Sequence, residues 1–319
     1  MIPEYTLDAD NPRGWGKSEV EPEWPHDHGH IITDDDIGDI VNEYPDVQQI
    51  FVPGCLREHR FLSRYNSNNK TTVIFIPGGV GRLHAIDTKQ MPKGLVFPLN
   101  LLVHWPSDIN LLVVDMDHGL DWLFARKTDD MHFKNNNAWD KIKYIIEKSR
   151  GSDNLVSRFS TACHDISTII DYIKQQGQDV WLAGHCGSCE LLARYHDFVG
   201  EKPSISGFLF SNPAWKNTWR EHLENLRYFR TDFNFPLMIA QHRDDRALVT
   251  DVEIAKKILE TSCPPRAKYT ELSGGIDQGL PHFSMGHHGF RGIESLLTDA
   301  MRDFVNSNTE VLDTNGLPK

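Results

Sequence analysis

Residues 180–192, Val-Trp-Leu-Ala-Gly-His-Cys-Gly-Ser-Cys-Glu-Leu-Leu, restrict the possible fold more than any other stretch of the chain. An apolar run of strand character ends at a small residue, a tight turn follows, and the apolar spacing then changes to that of a helix. The turn has the pattern small-x-nucleophile-x-small, with Gly184 and Ser188 on either side of Cys186. Side chains at those two positions crowd such a turn, so both must be small. The central side chain is lifted above the end of the strand. The N–H of Gly187 opens the following helix, where the helix dipole favours negative charge.

The same alternation runs from about residue 48 onwards. Gln49–Pro53 and Phe61–Tyr65 read as two early strands. Thr71–Ile76, Asn110–Asp115, Val180–Ala183, Ile205–Phe210, Leu237–Gln241 and Lys268–Leu272 read as six more. Helical spacing occupies Asn154–Gln176, Gly187–Phe198, Asp251–Thr261 and Gly289–Val305. Near-continuous apolar strands between helices predict the α/β class, with a mostly parallel central sheet covered on both faces. Residues 1–47 lack sustained periodicity and read as an extended N-terminal arm, 48–306 as the domain, and 307–319 as a C-terminal tail. Three long excursions, about 84–108, 117–153 and 213–235, interrupt the pattern, the last rich in aromatic and basic residues. Excursions that follow strand ends are expected to build a lid.

Charge and cysteine content narrow the partners. A formal net charge of -12 argues against a nucleic-acid or anionic-membrane surface, and no apolar run is long enough for a membrane span. The N-terminus lacks the features of a secretory signal. Five cysteines, Cys55, Cys163, Cys186, Cys189 and Cys263, are an odd number in a chain too long to need a disulfide scaffold. The expected location is therefore a reducing compartment, most simply the cytoplasm. His26, His28 and His30 match no specific metal-site spacing, and neither a metal nor another cofactor is expected. The oligomeric state is not readable.

A cysteine nucleophile requires a base, an acid that orients the base, and oxyanion donors. The strand Leu237–Gln241 leads into His242-Arg243-Asp244-Asp245-Arg246, which offers Asp245 as the acid and Asp244 as its alternative. The loop Gly286-His287-His288-Gly289-Phe290 offers His288 as the base, with His287 and His282 as alternatives. Pro77-Gly78-Gly79-Val80-Gly81-Arg82 follows the third strand and matches neither a Walker nor a dinucleotide fingerprint. The Gly79 and Gly187 N–H groups are the expected oxyanion hole. Arg82, Trp215 and Trp219 are expected to line the substrate pocket, with Arg220 and Arg230 as further cationic candidates.

In these segments (IFIPGGVGRL, VWLAGHCGSC, MIAQHRDDRALVT and GHHGFRGIE) the chain resembles the α/β-hydrolase superfamily over roughly residues 48–306. The order nucleophile, acid, histidine is that of the superfamily. Its members usually carry serine at the elbow, and Cys186 resembles the cysteine of dienelactone hydrolases and polyhydroxyalkanoate synthases. The resemblance implies an α/β-hydrolase fold and a hydrolase that attacks an ester, lactone or thioester through an acyl-cysteine intermediate. Its partner would be a small-molecule acyl substrate. An acyltransferase with the same Cys-His-Asp triad is an alternative. Cys186-Gly187-Ser188-Cys189 also reads as the CxxC of a thiol–disulfide oxidoreductase, and a non-catalytic binding protein on the same scaffold is a further reading.

Overall fold

Eight strands hydrogen-bond into one sheet in the computed structural model. The structure describes residues 30–31, 34–53, 58–78, 84–85, 97–115, 158–199, 205–213, 235–245, 252–262, 266–276 and 286–309. The strands are β1 (Gln48–Pro53), β2 (Glu58–Arg64), β3 (Thr71–Ile76), β4 (Asn110–Asp115), β5 (Asp179–His185), β6 (Gly207–Ser211), β7 (Leu237–His242) and β8 (Ala267–Leu272). Their order across the sheet is 8-7-6-5-3-4-2-1. β2 is antiparallel to both β1 and β4, and every other pair in the sheet is parallel. A separate two-residue ribbon pairs His30–Ile31 with His84–Ala85.

Every residue of β3, β6 and β7 is buried, which is why these strands read as unbroken apolar runs rather than alternating ones. Alternate side chains supply two cores. On one face Ile74, Ile76, Leu182, Phe208 and Ile239 pack with residues of α3 (Arg158–Gln175), α4 (Gly187–Val199) and α5 (Val252–Ser262). On the other, Val73, Phe75, Trp181, Leu209 and Met238 pack with residues of α1 (Asp34–Glu43), α2 (Leu101–His104) and α6 (Glu294–Thr309). Burial of each large apolar side chain contributes about 1.5–3 kcal/mol. Gly207 is required by this packing, since a Cβ there would lie 2.3 Å from Cζ3 of Trp181. Trp181 in turn meets Phe304 edge-on at 5.8 Å.

Several elements differ from the sequence reading. Part of the arm expected to be extended is the helix α1, whose Ile37 and Ile40 lie three residues apart and are buried in the core. Its run of acids hides that short apolar stripe. The single helix expected over Gly289–Val305 is divided into a 3₁₀ turn at His287–Gly289 and α6. Phe290 (φ 54°) and Gly292 (φ 81°) take left-handed backbone that no α-helix can contain. α6 also runs on to Thr309, past the boundary expected at residue 306. Within the 84–108 excursion, Phe97, Leu99, Leu101, Leu102 and Trp105 are buried core side chains. That part of the expected lid is a covering layer of the sheet. Residues 117–153 and 214–234 lie outside the described residues.

Candidate active site

The carboxyl ends of the parallel strands carry the site. Cys186 directly follows β5 and precedes α4, with a φ of 53°. A non-glycine residue in that region is strained and persists only where its surroundings fix it. Those surroundings are visible. The Cys186 N–H donates to the Ser211 carbonyl at 3.1 Å. The Ser188 hydroxyl accepts from the His185 N–H at 2.7 Å and lies 2.8 Å from the carbonyls of Ile76 and His185, to which it can donate. A Cβ on Gly184 would come within 3.0 Å of Ser188 Oγ and of Leu192. The demand for small residues on both sides of Cys186 is thus met in space. Gly78 closes the turn from above β3, because a Cβ there would meet the His185 carbonyl at 2.7 Å and Cys186 Cβ at 2.9 Å.

Three residues beyond the end of β7, the Asp245 carboxylate accepts a hydrogen bond from His288 Nδ1 at 2.8 Å, with both side chains almost fully buried. The other side of the imidazole faces Cys186. Burial opposes a charge on His288, but the Asp245 carboxylate and the Cys186 sulfur outweigh it and raise its pKa to about 10. The alternatives from the sequence lie elsewhere. Asp244 is half-exposed and turned to the Arg243 guanidinium at 3.4 Å, which holds its carboxyl below the usual range. His287 is directed at the Asp244 carbonyl at 3.3 Å and stacks on His242 at 4.3 Å. The first residue of α4, Gly187, has an N–H with no acceptor inside its helix. Gly79, Arg82, Trp215, Trp219, Arg220, Arg230 and His282 lie outside the described residues.

Three residues that the sequence reading missed, His185, His242 and Asn212, adjoin these groups. His185 is buried between rings, 4.3 Å from Phe97 and 4.6 Å from His288. Its Nδ1 is 3.0 Å from the Ser211 carbonyl. Burial first, and then the neighbouring His288, push its pKa well below the usual histidine value, so it is neutral. His242 accepts from the Asp244 N–H at its Nδ1 and donates from Nε2 to the Gly274 carbonyl at 2.8 Å. Burial lowers its pKa as well. Asn212, at φ 39°, joins the ends of β6 and β7 to the histidine loop. A polar residue closing an apolar strand, just before Pro213, is the only sign of it in the sequence. Among the described residues, no three His, Cys, Asp or Glu side chains gather as metal ligands would. No helix among them is long and apolar enough to cross a membrane.

A sheet of order 8-7-6-5-3-4-2-1 with β2 reversed, and a sharp turn between β5 and α4, decides the architecture. The fold is the α/β-hydrolase fold. Solved structures of this fold align over most of the chain. A membrane phospholipase A, described as a bacterial virulence factor, aligns with a TM-score of 0.50 at 10% identity, covering 86% of this chain and 91% of that one. A dienelactone hydrolase from Anabaena variabilis gives 0.48 at 10% identity, covering 82% and 99%. A soluble variant of the monoglyceride lipase of Saccharomyces cerevisiae, solved with a substrate analogue, gives 0.49 at 11% identity, covering 82% and 95%. No family model matches the sequence, and no curated protein matches it.

Proposed function

We propose that the protein is a hydrolase with a Cys186–His288–Asp245 triad that cleaves an ester, lactone or thioester through an acyl-cysteine intermediate. One observation carries the reading: a cysteine on a strained strand-to-helix turn is hydrogen-bonded to a buried imidazole whose far nitrogen is bonded to a buried carboxylate at 2.8 Å. His288 takes the proton of the Cys186 thiol, and the thiolate attacks the acyl carbon. The carbonyl oxygen becomes an oxyanion held by the N–H of Gly187, with the N–H of Gly79 as its partner donor. The tetrahedral species collapses, the bond to the leaving group breaks, and the His288 imidazolium protonates the departing alcohol or thiol. His288 then takes a proton from water, whose oxygen attacks the acyl-cysteine, and the acid is released with the thiol restored. Asp245 holds the imidazole in the Nδ1–H tautomer throughout and stays ionised.

The acyltransferase reading differs only in the acceptor, an alcohol or amine in place of water. Oxidoreductase chemistry is disfavoured by Cys189. That residue is fully buried, its thiol is directed at the Ser211 carbonyl, and burial pushes its pKa well up, so it is held as a thiol.

The test is a rapid-mixing experiment with p-nitrophenyl acetate. A burst of one p-nitrophenolate per chain is expected, with mass spectrometry locating an acetyl group on Cys186 and none on Cys186→Ala. A wild-type protein without a Cys186-dependent acetyl adduct overturns the reading.

A further inference from the structure

We propose that Asn212 is a positioning residue that sets the histidine loop against the elbow and the acid strand. The inference rests on the triad reading above. Asn212 Nδ2 donates to the carbonyls of His288 at 2.7 Å and His287 at 3.2 Å, while its Oδ1 accepts from the His242 N–H at 2.7 Å. Its own N–H donates to the Ala240 carbonyl at 2.9 Å. One buried side chain therefore ties the backbone of the histidine loop to the end of β7, three residues before Asp245.

The residue before it anchors the third segment. The Ser211 carbonyl accepts the Cys186 N–H at 3.1 Å, and the Ser211 hydroxyl donates to the Gly184 carbonyl at 3.0 Å. The dipeptide at the end of β6 thus touches all three chain segments that bring the triad together, yet presents no titratable atom to them. A primary amide suits this place. It offers two donors and an acceptor on one planar group, and asparagine tolerates the left-handed backbone at this position better than most residues.

Asn212→Asp keeps an acceptor for the His242 N–H but opposes two carbonyl oxygens with a carboxylate. Asn212→Ala removes all three side-chain contacts. Three readouts are needed: the p-nitrophenyl acetate burst, the His288 titration followed by NMR on histidine-labelled protein (assigned with His288→Gln), and the thermal midpoint. The expected result for both variants is a burst slowed by about 10²-fold and a His288 titration moved down from about 10 by a unit or more. Asn110→Ala, a buried amide at the opposite end of the sheet, serves as the control that lowers the thermal midpoint without moving the titration. Folded Asn212 variants that keep the wild-type burst and titration overturn the proposal. So do variants that both lose the whole fold, since that makes Asn212 a fold determinant. A wild-type protein without a burst counts against the triad reading instead, and the titration still tests Asn212.

Discussion

The two ends of the central sheet both hold buried polar side chains, but they are built from opposite kinds of group. At the amino ends of the parallel strands, Thr72 donates to Gln178, Asn110 donates to Thr72 at 3.2 Å, and Gln178 donates to the Tyr65 hydroxyl at 2.8 Å. Tyr65 donates in turn to Gln176 at 2.7 Å, and the Asn110 oxygen accepts from the Asn66 N–H and from Asn69. These are amides and hydroxyls on relaxed backbone, closed on one another. At the carboxyl ends stand Cys186 and Asn212 in left-handed backbone, a histidine raised to about 10, and two histidines held low by burial. An interlocked neutral network serves stability, whereas strain and opposed shifts in neighbouring groups are the arrangement that acid–base chemistry uses. The difference teaches where to look for function within one sheet, and it can be broken by substitutions at either end.

The largest effect is expected from Asp245→Asn. The amide would turn the imidazole to the wrong tautomer and remove the charge that supports the imidazolium, so Cys186 acetylation should fall by about 10³–10⁴-fold. A burst rate within tenfold of wild type would take Asp245 out of the triad. Gly78→Ala comes next. Its Cβ would meet backbone and the Cys186 Cβ below 3 Å, and backbone cannot swing away as a side chain can. A displaced elbow should cost about 10²-fold in the same burst, with secondary structure by circular dichroism retained. The opposite end should respond in the other currency. Asn110→Ala takes an acceptor from the Asn66 N–H, one of two acceptors from the Asn69 amide and a donor from the buried Thr72 hydroxyl, and a loss of about 1–3 kcal/mol in urea unfolding is expected. Its burst should stay within about twofold, and a larger change there would erase the distinction between the two ends.

Much of this contrast is legible in the sequence, for a physical reason. β3 and β4 fall on Thr71–Ile76 and Asn110–Asp115, as read from the sequence, because strands buried on both faces are unbroken apolar runs with polar residues at their limits. The elbow is legible because sterics restrict residue types at fixed spacing, and Gly184 and Ser188 declare it. Chain order offers His288 and Asp245 as a pair, and their side chains lie 2.8 Å apart. What is not legible depends on partners remote in sequence. His185 reads as an ordinary residue within the motif until Ser211, Phe97 and His288 converge on its ring. Asn212 gains its role only when the ends of β6 and β7 lie side by side. The break at Phe290 is not legible because nothing in Gly289-Phe290-Arg291-Gly292 names the phenylalanine as the left-handed residue.

The smallest expected effect separates two rings only 4.6 Å apart. His288 has a raised pKa, so the stability it contributes is fully present below the unfolded value of about 6.5 and is lost as pH rises through about 10. His185 is depressed. Its neutral, buried state costs nothing above about 6.5, but as pH falls below that value the unfolded chain takes up a proton that the folded chain refuses. The two neighbours therefore act on opposite limbs of one stability profile. His185→Gln should make the acid limb shallower, by at most about 1.4 kcal/mol per pH unit, and leave the alkaline limb in place. Cys186→Ser should do the reverse, because it removes the sulfur that helps to raise His288 and so draws the alkaline loss to lower pH. Urea unfolding from pH 4.5 to 10.5 measures both limbs. If His185→Gln moves the alkaline limb as much as the acid one, the two imidazoles titrate as a single coupled unit, and the division of one neutral and one charged ring fails.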